Sequence, residues 1–187
     1  MLSEQIKNAT KSGHQELEKT VILKLKAIRS KQDYAEVLKY FYAYFTLLEK
    51  KLNPFIPAAL TPYYSLRRDA SYIERDIIEL GASLENLPSS YSPEITTVHQ
   101  AIGALYVLEG SIMGGPYIVK MLQQYGMDQG FNFFQGYGDA SQGKWQEFTS
   151  LINTEITNPK AIEEAIEAAK DTFNQFSKTF KNELLTA

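Results

Sequence analysis

Two histidines and no cysteine among 187 residues restrict what this chain can do. The absence of cysteine removes disulfides, thiolate nucleophiles, and Cys-ligated zinc or iron–sulfur clusters together. His14 is the better placed histidine. Lys7, Lys11, His14 and Glu18 are spaced four, three and four residues apart, which puts them on one stripe of a helix. A neutral imidazole there is a suitable axial ligand for a large iron cofactor. Lys7 would lie two turns back, about 10 Å by helix rise, in reach of anionic groups on the edge of a bound macrocycle. Glu18, one turn on, is placed to fix the ring from behind the ligand. Spacing alone leaves a second reading open, that His14 sits on an ordinary solvated helix edge.

The segment from Gly103 to Pro116 is the other candidate. Gly103, Gly110 and Gly114 are seven and four residues apart, so they share one helical face. Each glycine inside a helix costs about 1 kcal/mol against alanine. Three on one face, then Gly115 and Pro116, predict a kinked helix with bare backbone on one side. A flat ligand can lie against such backbone, and freed N–H and C=O groups can hold water or a bound gas. Close helix–helix packing is the alternative. Ser111 adjoins the bare face and can join a hydrogen-bond network there, although a mid-helix serine more often bonds back to its own turn. Glu109 points away from that face and is expected in a surface or interhelix ion pair. His99 precedes Gly110 by eleven residues, about 16 Å, too far to ligate anything resting on Gly110.

These residues need helices to position them, and the sequence reads as helix almost throughout. Leu2, Ile6, Thr10, Gly13, Leu17 and Val21 repeat at helical spacing. Ser30 and Asp33 have the spacing of a helix start, and Tyr34 to Leu52 continues with helical periodicity. Pro54, Pro57 and Pro62 mark a connection. Leu66 to Leu80 reads as one amphipathic helix stopped at Gly81, and Ser83 to Ser92 as loop. Ser92-Pro93-Glu94 has the form of a helix opening. The helix from Pro93 is expected to run into the glycine cluster, resume, and end near Tyr125 at Gly126. Phe131 to Gly143 reads as loop, Gln142 to Asn153 as a short helix, and Asn158-Pro159 as the opening of a last helix reaching about Leu184. No convincing strand pattern occurs. The fold expected is an all-α, compact bundle of about seven or eight helices, with residues 1–187 as one domain.

Composition excludes other classes. Net charge is −3, without the basic footprint of a nucleic-acid binder. No uninterrupted apolar run approaches the roughly 18–20 residues of a membrane helix. The first residues do not form a signal peptide, so a cytoplasmic location without membrane attachment is expected. There is no H-E-x-x-H, EF-hand loop, G-x-G-x-x-G, P-loop or G-x-S-x-G. Neither histidine has a glutamate three residues before it, as a di-iron bundle would want. Twelve Tyr and ten Phe against one Trp indicate a heavy aromatic core or a lined pocket.

Two segments together resemble one family. Ala9-Thr10-Lys11-Ser12-Gly13-His14-Gln15-Glu16-Leu17-Glu18 is similar to the proximal-helix motif A-T-K-x-x-H-x-x-x-E of haem oxygenases. Tyr106-Val107-Leu108-Glu109-Gly110-Ser111-Ile112-Met113-Gly114-Gly115 resembles their glycine-rich distal helix, especially in the bacterial type that accompanies phytochromes. The order, separation and total length agree. The resemblance implies a haem-oxygenase-like helical fold with His14 as proximal iron ligand and Gly110 and Gly114 pressing on the haem. It implies Gly110, Ser111 and Gly114 as the catalytic distal segment, and Lys7, Lys11, Glu18 and Phe173 about the haem. Haem would be both substrate and cofactor, with O₂ cleaving it to biliverdin, CO and ferrous iron. Electrons would come from a separate ferredoxin- or flavodoxin-like donor or a reductase, and a phytochrome would receive the biliverdin.

Two departures stand out. Many members carry Asp directly after the first distal glycine, where this chain has Ser111. Many carry an Arg for the haem propionates on the penultimate helix, where Lys144 to Thr149 has none. They keep two alternatives in view: a haem-binding or haem-handling protein without turnover, and a small-molecule enzyme of the wider fold, such as a thiamine-related one.

Overall fold

The computed structural model describes residues 1–181. Eight α-helices occur there in the order α1 (Leu2–Lys26), α2 (Lys31–Leu52), α3 (Thr61–Ser65), α4 (Ser71–Glu79), α5 (Val98–Gln124), α6 (Asn132–Gln135), α7 (Ser141–Glu155) and α8 (Pro159–Lys181). Two 3₁₀ turns, Asn53–Phe55 and Gly138–Ala140, complete the described elements, and no strand is present among them. The expected all-α class and helix number hold. Residues 182–184, where the last helix was expected to finish, lie outside the described residues.

Sequence periodicity sets the packing. α1 buries Leu2, Ile6, Thr10, Leu17 and Val21, the stripe read from its spacing. α8 is strongly amphipathic and packs against both α1 and α5. Its Ala161, Ala165, Ala168 and Ala169 are buried, and these small side chains bring its backbone close to α5. The Tyr44 hydroxyl donates to the Thr172 carbonyl at 2.6 Å, tying α2 to α8. Around Phe41, the rings of Phe45, Phe133, Phe134, Phe176 and Phe180 lie with centroids 5.3–6.4 Å away, mostly edge to face. Such pairs add roughly 0.5–1.5 kcal/mol each beyond area burial.

Five local readings differ from the sequence expectation. α5 starts at Val98, not Pro93. Thr97 accepts from the Gln100 amide at 3.2 Å, while the Gln100 side chain accepts from the Thr97 amide at 3.2 Å. This reciprocal capping box satisfies two groups where Ser92 offered one. α5 then runs unbroken through the glycine cluster, with Pro116 inside it. Its length and apolarity match a membrane span, but 61 % of that window is buried inside the fold. The helix expected over Leu66–Leu80 begins only at Ser71, as α4, because Arg67 and Arg68 turn inward and the Glu49 carboxylate takes the Ala70 amide at 3.2 Å. The loop expected over Phe131–Gly143 holds α6. Asp76, on α4, caps it by accepting from the Asn132 and Phe133 amides, both at 2.8 Å. α7 is longer than expected, beginning at Ser141 and ending at Glu155.

Candidate functional site

Between α1 and α5 lies a cavity of about 550 Å³, within the usual size of cofactor and small-molecule sites. One wall is α1, presenting Lys7, Lys11, His14, Leu17 and Glu18. The facing wall is α5, presenting Tyr106, Gly110, Ser111, Met113, Gly114 and Tyr117. Buried rings of Phe41, Phe45, Phe134, Phe173 and Phe176, with Trp145 from α7, complete the lining. Every site residue named from the sequence therefore lines one cavity. His99 does not. It is half-exposed and pairs with Glu164 at 3.0 Å.

The His14 imidazole is 61 % exposed and its ring is met edge-on by Phe173, at 5.7 Å and 82°. Gly13 permits this approach, since a Cβ there would come within 3.2 Å of the Phe173 Cβ. Glu18 lies 3.9 Å from His14 Nδ1, beyond hydrogen-bond distance. Phe173, rather than a hydrogen bond to Glu18, sets the ring's orientation.

The glycines of α5 divide into two kinds. A Cβ on Gly103 would lie 2.0 Å from the Ala165 carbonyl oxygen, and one on Gly115 would lie 1.9 Å from that of Phe134. Those two serve close backbone packing. A Cβ on Gly110 would touch only Trp145, at 3.9 Å, and one on Gly114 would touch nothing within 4 Å. These two leave bare backbone at the cavity, opposite His14. Close packing therefore accounts for Gly103 and Gly115, and bare backbone at the cavity remains at Gly110 and Gly114.

Behind that backbone is a buried polar cluster that periodicity did not reveal. Glu109, expected to point away in an ion pair, is 1 % exposed. It accepts from Arg67 Nε at 2.6 Å and from the Tyr63 hydroxyl at 2.6 Å, and Arg67 also donates to Glu49 at 2.6 Å. Burial works against the Arg67 charge, but Glu109 and Glu49 outweigh it and hold the guanidinium above its ordinary range. Arg68 donates to Ser111 Oγ at 2.5 Å and to the Phe133 carbonyl. Ser111 in turn donates to the Leu108 carbonyl at 2.6 Å, the back-bond expected of a mid-helix serine. Its proton is therefore committed to its own helix. The available signal for this cluster was the Arg67-Arg68 pair itself, but a helical reading of Leu66–Leu80 places such residues on a solvated face.

Comparison with known proteins gives the family and the fold. The model of the family described as "Heme oxygenase" matches residues 1–182. The chain belongs to the haem oxygenase family. The heme oxygenase of Xanthomonas campestris is 25 % identical over 145 residues, 76 % of this chain and 86 % of that protein. Heme oxygenase PigA of Pseudomonas aeruginosa is 25 % identical over 177 residues, 93 % of this chain and 88 % of that protein. Among solved structures, the NO- and CO-bound heme oxygenase of Neisseria meningitidis superposes with a TM-score of 0.81 at 21 % identity, over 100 % of this chain and 94 % of that one. Heme oxygenase-1 of the cyanobacterium Synechocystis, in complex with heme, gives 0.76 at 19 % identity, over 98 % and 92 %. The fold of this haem oxygenase family member is therefore the one expected from its two motifs.

Proposed function

We propose that the chain binds haem between α1 and α5 as both substrate and cofactor, and cleaves it to biliverdin, CO and ferrous iron. O₂ and electrons from a separate ferredoxin- or flavodoxin-like donor would be consumed. One observation carries the reading: an imidazole, His14, faces the Cβ-free backbone of Gly110 and Gly114 across a single apolar cavity. A planar macrocycle with a central metal fits that donor set and that bare wall. Bound haem supplies the iron that activates O₂ and the porphyrin carbon that is attacked.

The chain's own groups have distinct tasks in this reading. An imidazole nitrogen of His14 would hold the iron of bound haem. Gly110 and Gly114, having no side chains, would leave room at the α5 wall for the macrocycle and for O₂. The phenylalanines around the cavity exclude bulk water, which strengthens every remaining polar interaction. Lys7 and Lys11 are placed to meet the propionate carboxylates at the exposed rim. The Tyr106–Gly115 segment also supports the finer reading of the bacterial phytochrome-associated type, with a phytochrome receiving the biliverdin.

Proton delivery in this reading runs through water held by backbone groups near Gly110. Ser111 has no ionisable group, and its hydroxyl proton is directed at Leu108. Wild type is expected to convert haem to biliverdin with ascorbate or a reduced ferredoxin, and Ser111→Ala to slow this only modestly, because the proton it removes is bonded to Leu108 and is not one that the reaction takes. The measurement is Soret loss against growth of the biliverdin band, with catalase present. A stable haem complex under reductant and air, or bleaching without biliverdin, overturns the oxygenase reading and leaves a haem binder. No Soret band on adding hemin leaves a small-molecule enzyme of the fold.

Lys7→Glu tests the rim. Opposing a carboxylate to the propionates is expected to weaken hemin binding several-fold at low salt, and the gap from wild type should close as ionic strength shortens the reach of exposed charges. Hemin titrations at two salt concentrations check it. A gap that salt does not change would assign the carboxylates to other groups.

A further inference from the structure

Consecutive arginines hold the two residues that flank Gly110. Arg67 takes Glu109 and Arg68 takes Ser111. Their situations differ. Arg67 is sandwiched between two carboxylates, Glu49 and Glu109. Arg68 is 1 % exposed, and among the described residues its side-chain hydrogen bonds go only to neutral oxygens, Ser111 Oγ and the Phe133 carbonyl. Its backbone amide donates to the Tyr137 hydroxyl at 2.7 Å. Its Nε is buried without a hydrogen-bond partner among the described residues, and its guanidinium carbon lies 3.8 Å from the Phe133 ring centroid. Burial pushes this guanidinium down to about 10, which still leaves it charged at neutral pH. Arg68 hydrogen-bonds to no carboxylate among the described residues, and the carboxylate that acts on it most, Glu109, is bonded instead to Arg67 and Tyr63, so a cation stands one hydrogen bond behind the cavity wall, because Ser111 lines the cavity.

We propose that Arg68 is a positioning residue that, through Ser111, gives the α5 side of the cavity a fixed positive potential favouring anionic over neutral ligands opposite His14. The inference rests on haem binding as proposed above. The chemistry of the contacts fixes its polarity. A guanidinium can only donate and the Leu108 carbonyl can only accept, so the Ser111 proton is committed to its own helix, and the positive field at the wall is that of Arg68 and not of the hydroxyl. Dioxygen that accepts electrons becomes anionic, and a preorganised cation stabilises charge as it develops without reorganising. A carboxylate at position 111 would neutralise Arg68. Serine adds no charge, which leaves the cation opposed at longer range by Glu109, a carboxylate that Arg67 already holds.

The test uses hemin complexes of wild type, Arg68→Met and Arg68→Lys. Fluoride, an anion, and imidazole, uncharged at about pH 8.5, are titrated against the Soret band. Arg68→Met should bind fluoride about tenfold more weakly, the order expected for one charge acting through partly buried protein, and imidazole within twofold of wild type. Arg68→Lys should recover most of the fluoride affinity. Equal weakening of both ligands would mean that Arg68 is merely structural, and no change in fluoride affinity would remove its field altogether. If Arg68→Met does not fold, Ser111→Asp keeps the arginine and cancels its charge. The same fluoride-selective loss is expected there, and unaltered fluoride binding overturns the proposal. Absence of a Soret band in wild type refutes haem binding itself and this inference with it, a result distinct from a complex whose anion preference ignores position 68.

Discussion

His14→Ala is expected to reduce biliverdin formation by about 100-fold or more, equivalent to roughly 2.7 kcal/mol of barrier, while leaving the helices intact. The reason lies in what the ring touches. It is 61 % exposed and its one close aromatic neighbour is Phe173, so its removal opens no hole in the core and costs little stability. The apolar walls and the lysines would still draw hemin in, but without a nitrogen on the α1 side. The Soret band should shift, and added imidazole, small enough for the vacated volume, should restore part of the wild-type spectrum and rate. Absorption spectra with and without imidazole, alongside thermal unfolding, check it. A mutant with the wild-type spectrum would place the iron ligand elsewhere.

Valine scanning along α5 should give opposite outcomes at positions seven residues apart. Gly110→Val places its methyl groups in the open space facing His14, where the nearest obstacle is Trp145 at 3.9 Å. Valine is also the better helix former. The protein should fold at least as stably as wild type and bind hemin at least about tenfold more weakly, since overpacking a fitted site costs roughly 1–3 kcal/mol. Gly103→Val meets the Ala165 carbonyl oxygen, and its Cβ would sit 2.0 Å from that backbone atom. Two helices must then separate, and the Tm should fall by roughly 5–10 °C at constant length. Calorimetry and hemin titration on both variants decide the matter. A folded Gly110→Val that turns over haem normally would make Gly110 a packing glycine like Gly103.

The contrast shows what the sequence could carry. His14, Lys7, Lys11 and Glu18 were legible because helical spacing fixes which residues share a stripe, and α1 obeys it. The glycines of α5 were legible as a set but not as individuals. Gly103 faces Ala165 and Gly110 faces the cavity, and only the path of α8 across α5 separates them. Arg67 and Arg68 were not legible, because their partners Glu49, Glu109 and Ser111 are 18 to 43 residues away. α6 escaped for the same reason, its cap being Asp76, 56 residues upstream of Asn132. Local chemistry reports caps, stripes and turns. It does not report charges whose counterparts arrive from another element.

The close contacts at Gly103 and Gly115 make α5 a beam resting on two piers. Twelve residues separate them, about 18 Å of helix, and the span between carries Gly110 and Gly114. Backbone rests against backbone at both supports, so the beam cannot rise or sink as a rigid body without breaking a contact at one end. The wall above the slot is therefore set by the chain's own packing, and a guest between α1 and α5 meets a surface whose height does not depend on the guest's charge or metal.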